Sequence, residues 1–190
     1  DKLISWLTSA EMVVRVPYNN SDREQRENND AKEKFLIGIL KSADERLTNR
    51  LQPTVRKQLS WYITLRGWYS GRALLVKNKN GDTYVDIQPW DPLHTYWGEG
   101  ADGLSWACYK SKKSPSEIKL TYGKNLGSVD DTDEPIDVYD IYDKEDNIVC
   151  TDTTILKKRT KHGADEVPVF LGPVGSTPMI QAITDPRNQD

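Results

Sequence analysis

The chain has 190 residues, a net charge of −3, 36% apolar residues and 29% charged residues. That is polar for a folded domain, yet six tryptophans and nine tyrosines argue against wholesale disorder. The mild acidity supplies no global basic field for nucleic acid, and no apolar run approaches the roughly 18 residues of a membrane span. Two cysteines, Cys108 and Cys150, are too few for a disulfide scaffold and fit a reduced intracellular protein. Residue 1 is Asp and no signal-peptide pattern follows it, so the chain reads as an internal piece of something longer.

Residues 1–30 read as an extension: short apolar stretches at Leu3–Trp6 and Met12–Val16, then a polar loop from Asn19 to Asp30. Asp30 and Glu33 have the spacing of a capping box, which predicts a helix start there. Phe35, Leu36, Ile39, Leu40, Ala43, Leu47 and Leu51 then recur by threes and fours, one buried stripe on one helix. Pro53 ends it, and a second helix is predicted from Thr54 to about Trp68, making a bent pair with the first.

From Gly71 the period shifts to two. Arg72–Val76 and Thr83–Ile87 flank Asn80-Gly81, a hairpin signal. Leu93–Trp97 and Leu104–Tyr109 read as further strands, separated by a loop from Gly98 to Gly103. Ser114-Pro115-Ser116-Glu117 opens a short helix reaching about Tyr122. An acidic loop from Asn125 to Pro135 follows, then a strand around Val138–Ile141, a turn at Lys144–Asn147, a strand at Ile148–Leu156 and another at Val167–Leu171. Residues 176–190 form a tail with no predicted element. The fold class is α+β: an N-terminal helical pair, then a mostly antiparallel sheet with one short inserted helix, occupying residues 31–175.

Catalytic chemistry finds little support. His94, Cys108, Cys150 and His162 are isolated in sequence, whereas structural zinc ligands come in close pairs. There is no nucleophile elbow, phosphate loop or dinucleotide fingerprint. Asp130, Asp131, Asp133, Glu134 and Asp137 cluster without an apolar pocket and without the spacing of a calcium loop. The sequence therefore predicts no catalytic residue, cofactor or metal. Charge is segregated, however. Seven basic residues between Lys41 and Arg72 face only Asp44 and Glu45, a second basic cluster covers Lys157, Lys158, Arg159 and Lys161, and the loop at 130–137 is acidic. Trp61 and Trp68, beside Tyr62 and Tyr69, fall at helical spacing and read as a broad aromatic face, part of it available to another chain.

Three stretches carry a family resemblance. The run from Leu59 to Leu75, with Trp61, Arg66-Gly67-Trp68-Tyr69 and Gly71, resembles the helix-to-strand passage of tailed-bacteriophage portal proteins. The segment Ile87–Trp97, with Trp90-Asp91-Pro92, is similar to the part that follows the hairpin in that family, and Trp106 and Tyr109 come next. Lys161-His162-Gly163 leading to Val167-Pro168-Val169 is similar to its closing turn. The resemblance spans residues 30–175 and implies the wing portion of a portal, without the stem, clip and crown. It implies a structural, non-enzymatic subunit of a ring of about a dozen identical copies at one capsid vertex. Its implied partners are its own copies, the capsid protein, the terminase and the head-to-tail adaptor. DNA would pass through the ring, with direct contact by this segment left open. The implied location is the virion, with the host cytoplasm during assembly and no membrane.

Two other functions compete: a peptide- or carbohydrate-binding module using exposed tryptophans, and a metal-dependent hydrolase using Asp91, His94 and the acidic loop. A closed ring needs two different patches that meet. The basic helical pair, with Arg46, Arg50, Arg56 and Arg66, and the acidic loop, with Asp131, Asp133 and Glu134, are the expected subunit-interface residues.

Overall fold

A computed structural model describes residues 2–9, 13–16, 23–78, 80–126 and 134–175. Among these residues four helices, α1 (Lys2–Ser9), α2 (Arg23–Asn49), α3 (Val55–Arg66) and α4 (Pro115–Tyr122), combine with eight strands. The strands are β1 (Trp68–Lys77), β2 (Thr83–Trp90), β3 (Thr95–Gly100), β4 (Gly103–Lys113), β5 (Ile136–Asp143), β6 (Asp146–Cys150), β7 (Ile155–Lys161) and β8 (Val169–Pro173). They form two antiparallel sheets, one ordered β2-β1-β8 and the other a meander β3-β4-β5-β6-β7. The α+β class, the helical pair before the sheets and the short helix inserted between β4 and β5 agree with the sequence.

The helix expected to begin at Asp30 begins at Arg23, so the polar loop assigned to 19–30 is helical over its last eight residues and the boundary at residue 30 falls inside α2. The Glu33 carboxylate does not cap its own helix. It accepts from the Val16 amide at 2.8 Å and pairs with Arg15 at 3.4 Å, tying the preceding segment to α2. The buried stripe is also shorter than its spacing implies. Ala43 and Leu47 are buried with Val55 of α3, beside Leu59 and Ile87, but Phe35 is 68% exposed and Leu51 96% exposed. Leu51 lies beyond the helix end, with φ +58°, while the Gln52 amide donates to the Leu47 carbonyl. The left-handed residue that closes the helix swings its side chain out of the stripe.

Thr54 caps α3, Gly67 ends it at φ +67°, and the Asp44 carboxylate accepts from the Val55 amide at 2.7 Å, so α2 also helps start α3. With the helix over at Arg66, Trp68 and Tyr69 belong to β1, so the aromatic residues at 61–62 and 68–69 do not share a helical face. Further on, Pro92–His94 forms a 3₁₀ turn capped by Asp91, where a strand was expected from Leu93. The expected loop at 98–103 narrows to the tight turn between Gly100 and Gly103. The expected single strand at 148–156 is two: a turn held by Thr151, whose amide donates to the Thr154 carbonyl at 2.8 Å, separates β6 from β7.

The described residues pack into three cores. Trp90, Ala107, Tyr142, Val167 and Val169 pack between the sheets, with Trp90 stacked on Tyr109 at a 5.1 Å centroid distance. Ile118 of α4 seals Val138, Val149 and Leu156. Ser114 gives α4 the full reciprocal capping box expected of it. At the centre of β1, Gly71 allows the close approach of Phe170, since a Cβ there would sit 2.5 Å from its ring and 2.9 Å from the Gln88 carbonyl. The two positions that looked equivalent in sequence should separate sharply in urea unfolding. Leu47→Ala should cost about 2–5 kcal/mol and Leu51→Ala less than about 0.5 kcal/mol; equal losses would show that Leu51 is buried after all.

Candidate functional site

Between the two sheets, the corner of the helical pair and α4 lies a cleft of about 620 Å³ lined mainly by polar side chains. Arg72 and Asp140 of its lining belong to a chain of hydrogen bonds running from one sheet into the other. Arg72, on β1, pairs with Asp86 of β2 through one guanidinium nitrogen and donates to the Tyr142 hydroxyl of β5 at 2.8 Å through the other. Tyr142 in turn donates to Asp140 at 3.3 Å, Asn147 donates to Asp140 at 2.7 Å, and Lys157 donates to Asn147 at 2.6 Å. Arg50, at the end of α2, approaches Asp86 at 3.8 Å from the other side.

Strand register explains the convergence. Arg72 lies opposite Gln88 on one side and Val169 on the other, so it sits in the middle strand of its sheet. Asp140, Tyr142 and, across the ladder, Asn147 share one face of the meander, because alternate residues of a strand point the same way. Burial works against the Arg72 charge but is outweighed by Tyr142, Asp86 and Asp140, which raise its pKa further. Burial is the main influence on Asp140 and pushes its carboxyl above the ordinary value of 3.8, against the pull of Arg72 and of its hydrogen bonds with Asn147 and Tyr142. Tyr142 is likewise pushed up, by burial and then by Asp140. Burial also holds the Tyr62 hydroxyl, on the cleft wall, at about 12.

The expected interface arginines are all engaged within the chain. Arg46 donates to the Val85 carbonyl at 2.7 Å and to Ser42 at 2.8 Å, and lies over the Tyr84 ring. Arg56 donates to the Leu7 carbonyl, and Arg66 pairs with Asp91 at 3.5 Å. Arg50 keeps the longest of these contacts and its side chain is half exposed. Glu134 is exposed; Asp131 and Asp133 lie outside the described residues. The second basic cluster is answered by acids the sequence reading did not single out: Arg159 pairs with Asp143 at 3.0 Å and with Asp146 at 3.6 Å, and Lys161 with Glu145 at 3.7 Å.

The residues considered for metal chemistry that are described do not gather into one site. His94 is exposed, and Asp91 caps the 3₁₀ turn. The His162 ring sits between the Asp143 carbonyl and the Ala164 amide. Burial pushes the Cys108 thiol up to about 12. Among the described residues, no group of three or more His, Cys, Asp or Glu is placed to hold a metal ion. Of the tryptophans, Trp68 and Trp90 are buried, whereas Trp6, Trp61 and Trp106 are 75%, 40% and 41% exposed, on α1, α3 and the outer face of the meander. Among the described residues, no helix is long and apolar enough to cross a membrane.

Removing the cation from the hub should be costly. Arg72→Met should lose about 3–5 kcal/mol, against less than about 1 kcal/mol for Arg159→Met in the exposed pair, both read from urea unfolding. Asp140 carries a pH signature as well. A carboxyl whose pKa is raised on folding holds its proton more tightly in the native state, so the wild type should lose stability relative to Asp140→Asn as pH climbs from about 4 through the raised folded value. Thermal melts of both proteins across that range check the sign; a variant that falls behind as pH rises would contradict the buried carboxyl.

No protein-family model matches this chain, and no curated protein sequence matches it either.

Proposed function

We propose that the chain is a structural subunit of a tailed-phage portal ring, built from copies of itself and doing no chemistry of its own. In that role it would sit in the wing at a capsid vertex, serving DNA packaging, ejection and head-to-tail joining. The observation that carries the reading is apolar surface left open on the helical side. Phe35 and Ile39 of α2 face Leu75 of β1 across a groove of about 440 Å³, and Phe35 and Leu75 are 68% and 69% exposed. A second groove of about 450 Å³ runs between α1 and α3, lined by Ile4, Pro53 and Trp61. Apolar grooves of this kind mark contacts between chains, and a cyclic ring requires two unlike patches on each subunit. The order of helical pair, hairpin, Trp-Asp-Pro turn and closing His-Gly segment supports the same reading.

Because Arg46, Arg56 and Arg66 already have partners within the chain, apolar contact carries most of the assembly energy in this proposal. Charge, through Arg50 above all, adds salt dependence. Electron micrographs of the full-length product should show particles with a central hole; a monodisperse monomer would sink the reading. Phe35→Ser with Leu75→Ser should abolish the particles. Arg50→Glu with Arg56→Glu should only weaken them and flatten their loosening by salt, and an unchanged salt response would remove the arginines from the interface.

A further inference from the structure

We propose that the polar cleft between the sheets binds a neutral, polyhydroxylated ligand, a short saccharide, independently of whether the chain assembles into rings. Its volume of about 620 Å³ lies within the range of small-molecule sites. Four side chains on its wall, Gln52, Gln88, Ser111 and Thr121, make no hydrogen bond to any described residue. Two carboxamides and two hydroxyls each offer a donor and an acceptor, which is what successive sugar hydroxyls require. Asp140 adds an acceptor-rich carboxylate at the base.

The charges argue against an anion. Arg50, Arg72 and Lys113 are set against Asp86, which holds Arg72, and Asp140 in the cleft itself, an excess of a single positive charge that the phosphate arm of the test below reads directly. The walls argue against a peptide, whose side chains need apolar subsites. Trp90 and Val138, apolar residues of the lining, are each only 1% exposed. The half-buried Tyr62 and Tyr122 supply ring faces and hydroxyls together, suited to a ligand that is polar at its edges and carbon-lined on its faces. The exposed tryptophans are not part of this site: Trp106 lies on the opposite pleat of β4 from Tyr109 and Ser111.

Calorimetric titration of the purified protein with maltotriose, cellotriose and chitotriose tests the proposal. At least one should give saturable binding. Gln88→Ala with Thr121→Ala should weaken that binding by at least about tenfold, the loss of one to two hydrogen bonds. Gln52→Ala, at an exposed position, gives a second reading in a protein whose fold is not at risk, and should weaken binding in the same direction. Trp106→Ala should leave it unchanged. No saturable heat from any of the three up to about 10 mM would overturn the proposal, as would displacement by inorganic phosphate, binding of triglutamine in place of the sugars, or loss of binding in Trp106→Ala.

Discussion

Arg72 is held in the middle strand of a three-stranded sheet, where a guanidinium away from water demands anionic and hydrogen-bonding partners. Those partners come from both directions: Asp86 from the neighbouring strand of its own sheet, Tyr142 from the facing sheet. An apolar contact between the sheets would tolerate sliding, because dispersion has little directional preference. A guanidinium whose two terminal nitrogens are engaged by fixed oxygens does not. The Trp90–Tyr109 stack supplies the area and Arg72 supplies the registry, so the cleft above them inherits a fixed floor.

Local signals in the sequence were legible wherever the physics was local. Ser114 and Glu117 are three residues apart and their capping box needs nothing else. Asn80-Gly81 likewise turns β1 into β2, with Gly81 at φ +89°. Asp30 and Glu33 have the same spacing, but nothing in the sequence says that Glu33 is taken by the Val16 amide instead. The stripe through Leu51 failed for a related reason, since periodicity assumes that the helix continues and one left-handed residue ends it. Strand partners were the largest omission. Alternation identifies a strand without naming its neighbour, so the return of β8 to β1, and with it the division into two sheets, could not be read.

The cleft was almost invisible for the same reason. Arg72 and Tyr142 are separated by 70 positions, and neither stands in a motif. Arg72 entered the sequence reading as one of seven basic residues, yet both of its terminal nitrogens are committed to partners on other strands. Asp140 was passed over in favour of the denser acids at 130–137, although one carboxylate facing a buried guanidinium alters a site more than several solvated ones. A clue was present: an arginine within an otherwise apolar and small run, Ser70 to Val76, has to be neutralised by something from outside that run.

Counting charge along the chain also misjudged which surfaces remain unsatisfied. The basic strand β7 is paired with the acidic turn between β5 and β6, Arg50 and Arg66 with carboxylates, and Arg46 and Arg56 are hydrogen-bonded to carbonyls of the elements they cover. What the fold leaves without internal partners is largely apolar on the helical side and, apart from Lys113, uncharged polar in the cleft. These two kinds of surface call for different occupants, since exposed apolar area is removed from water by another protein surface, whereas free carboxamides and hydroxyls gain only from a ligand that returns their hydrogen bonds. The groove at Phe35 and Leu75 shares no lining residue with the cleft, while the groove between α1 and α3 meets it at Gln58 and Tyr62. A neighbour seated on the first would leave the cleft open. A neighbour seated on the second would press on the wall of the cleft, so a ligand in the cleft and a neighbouring subunit would be linked through the short stretch of α3 that carries those two side chains.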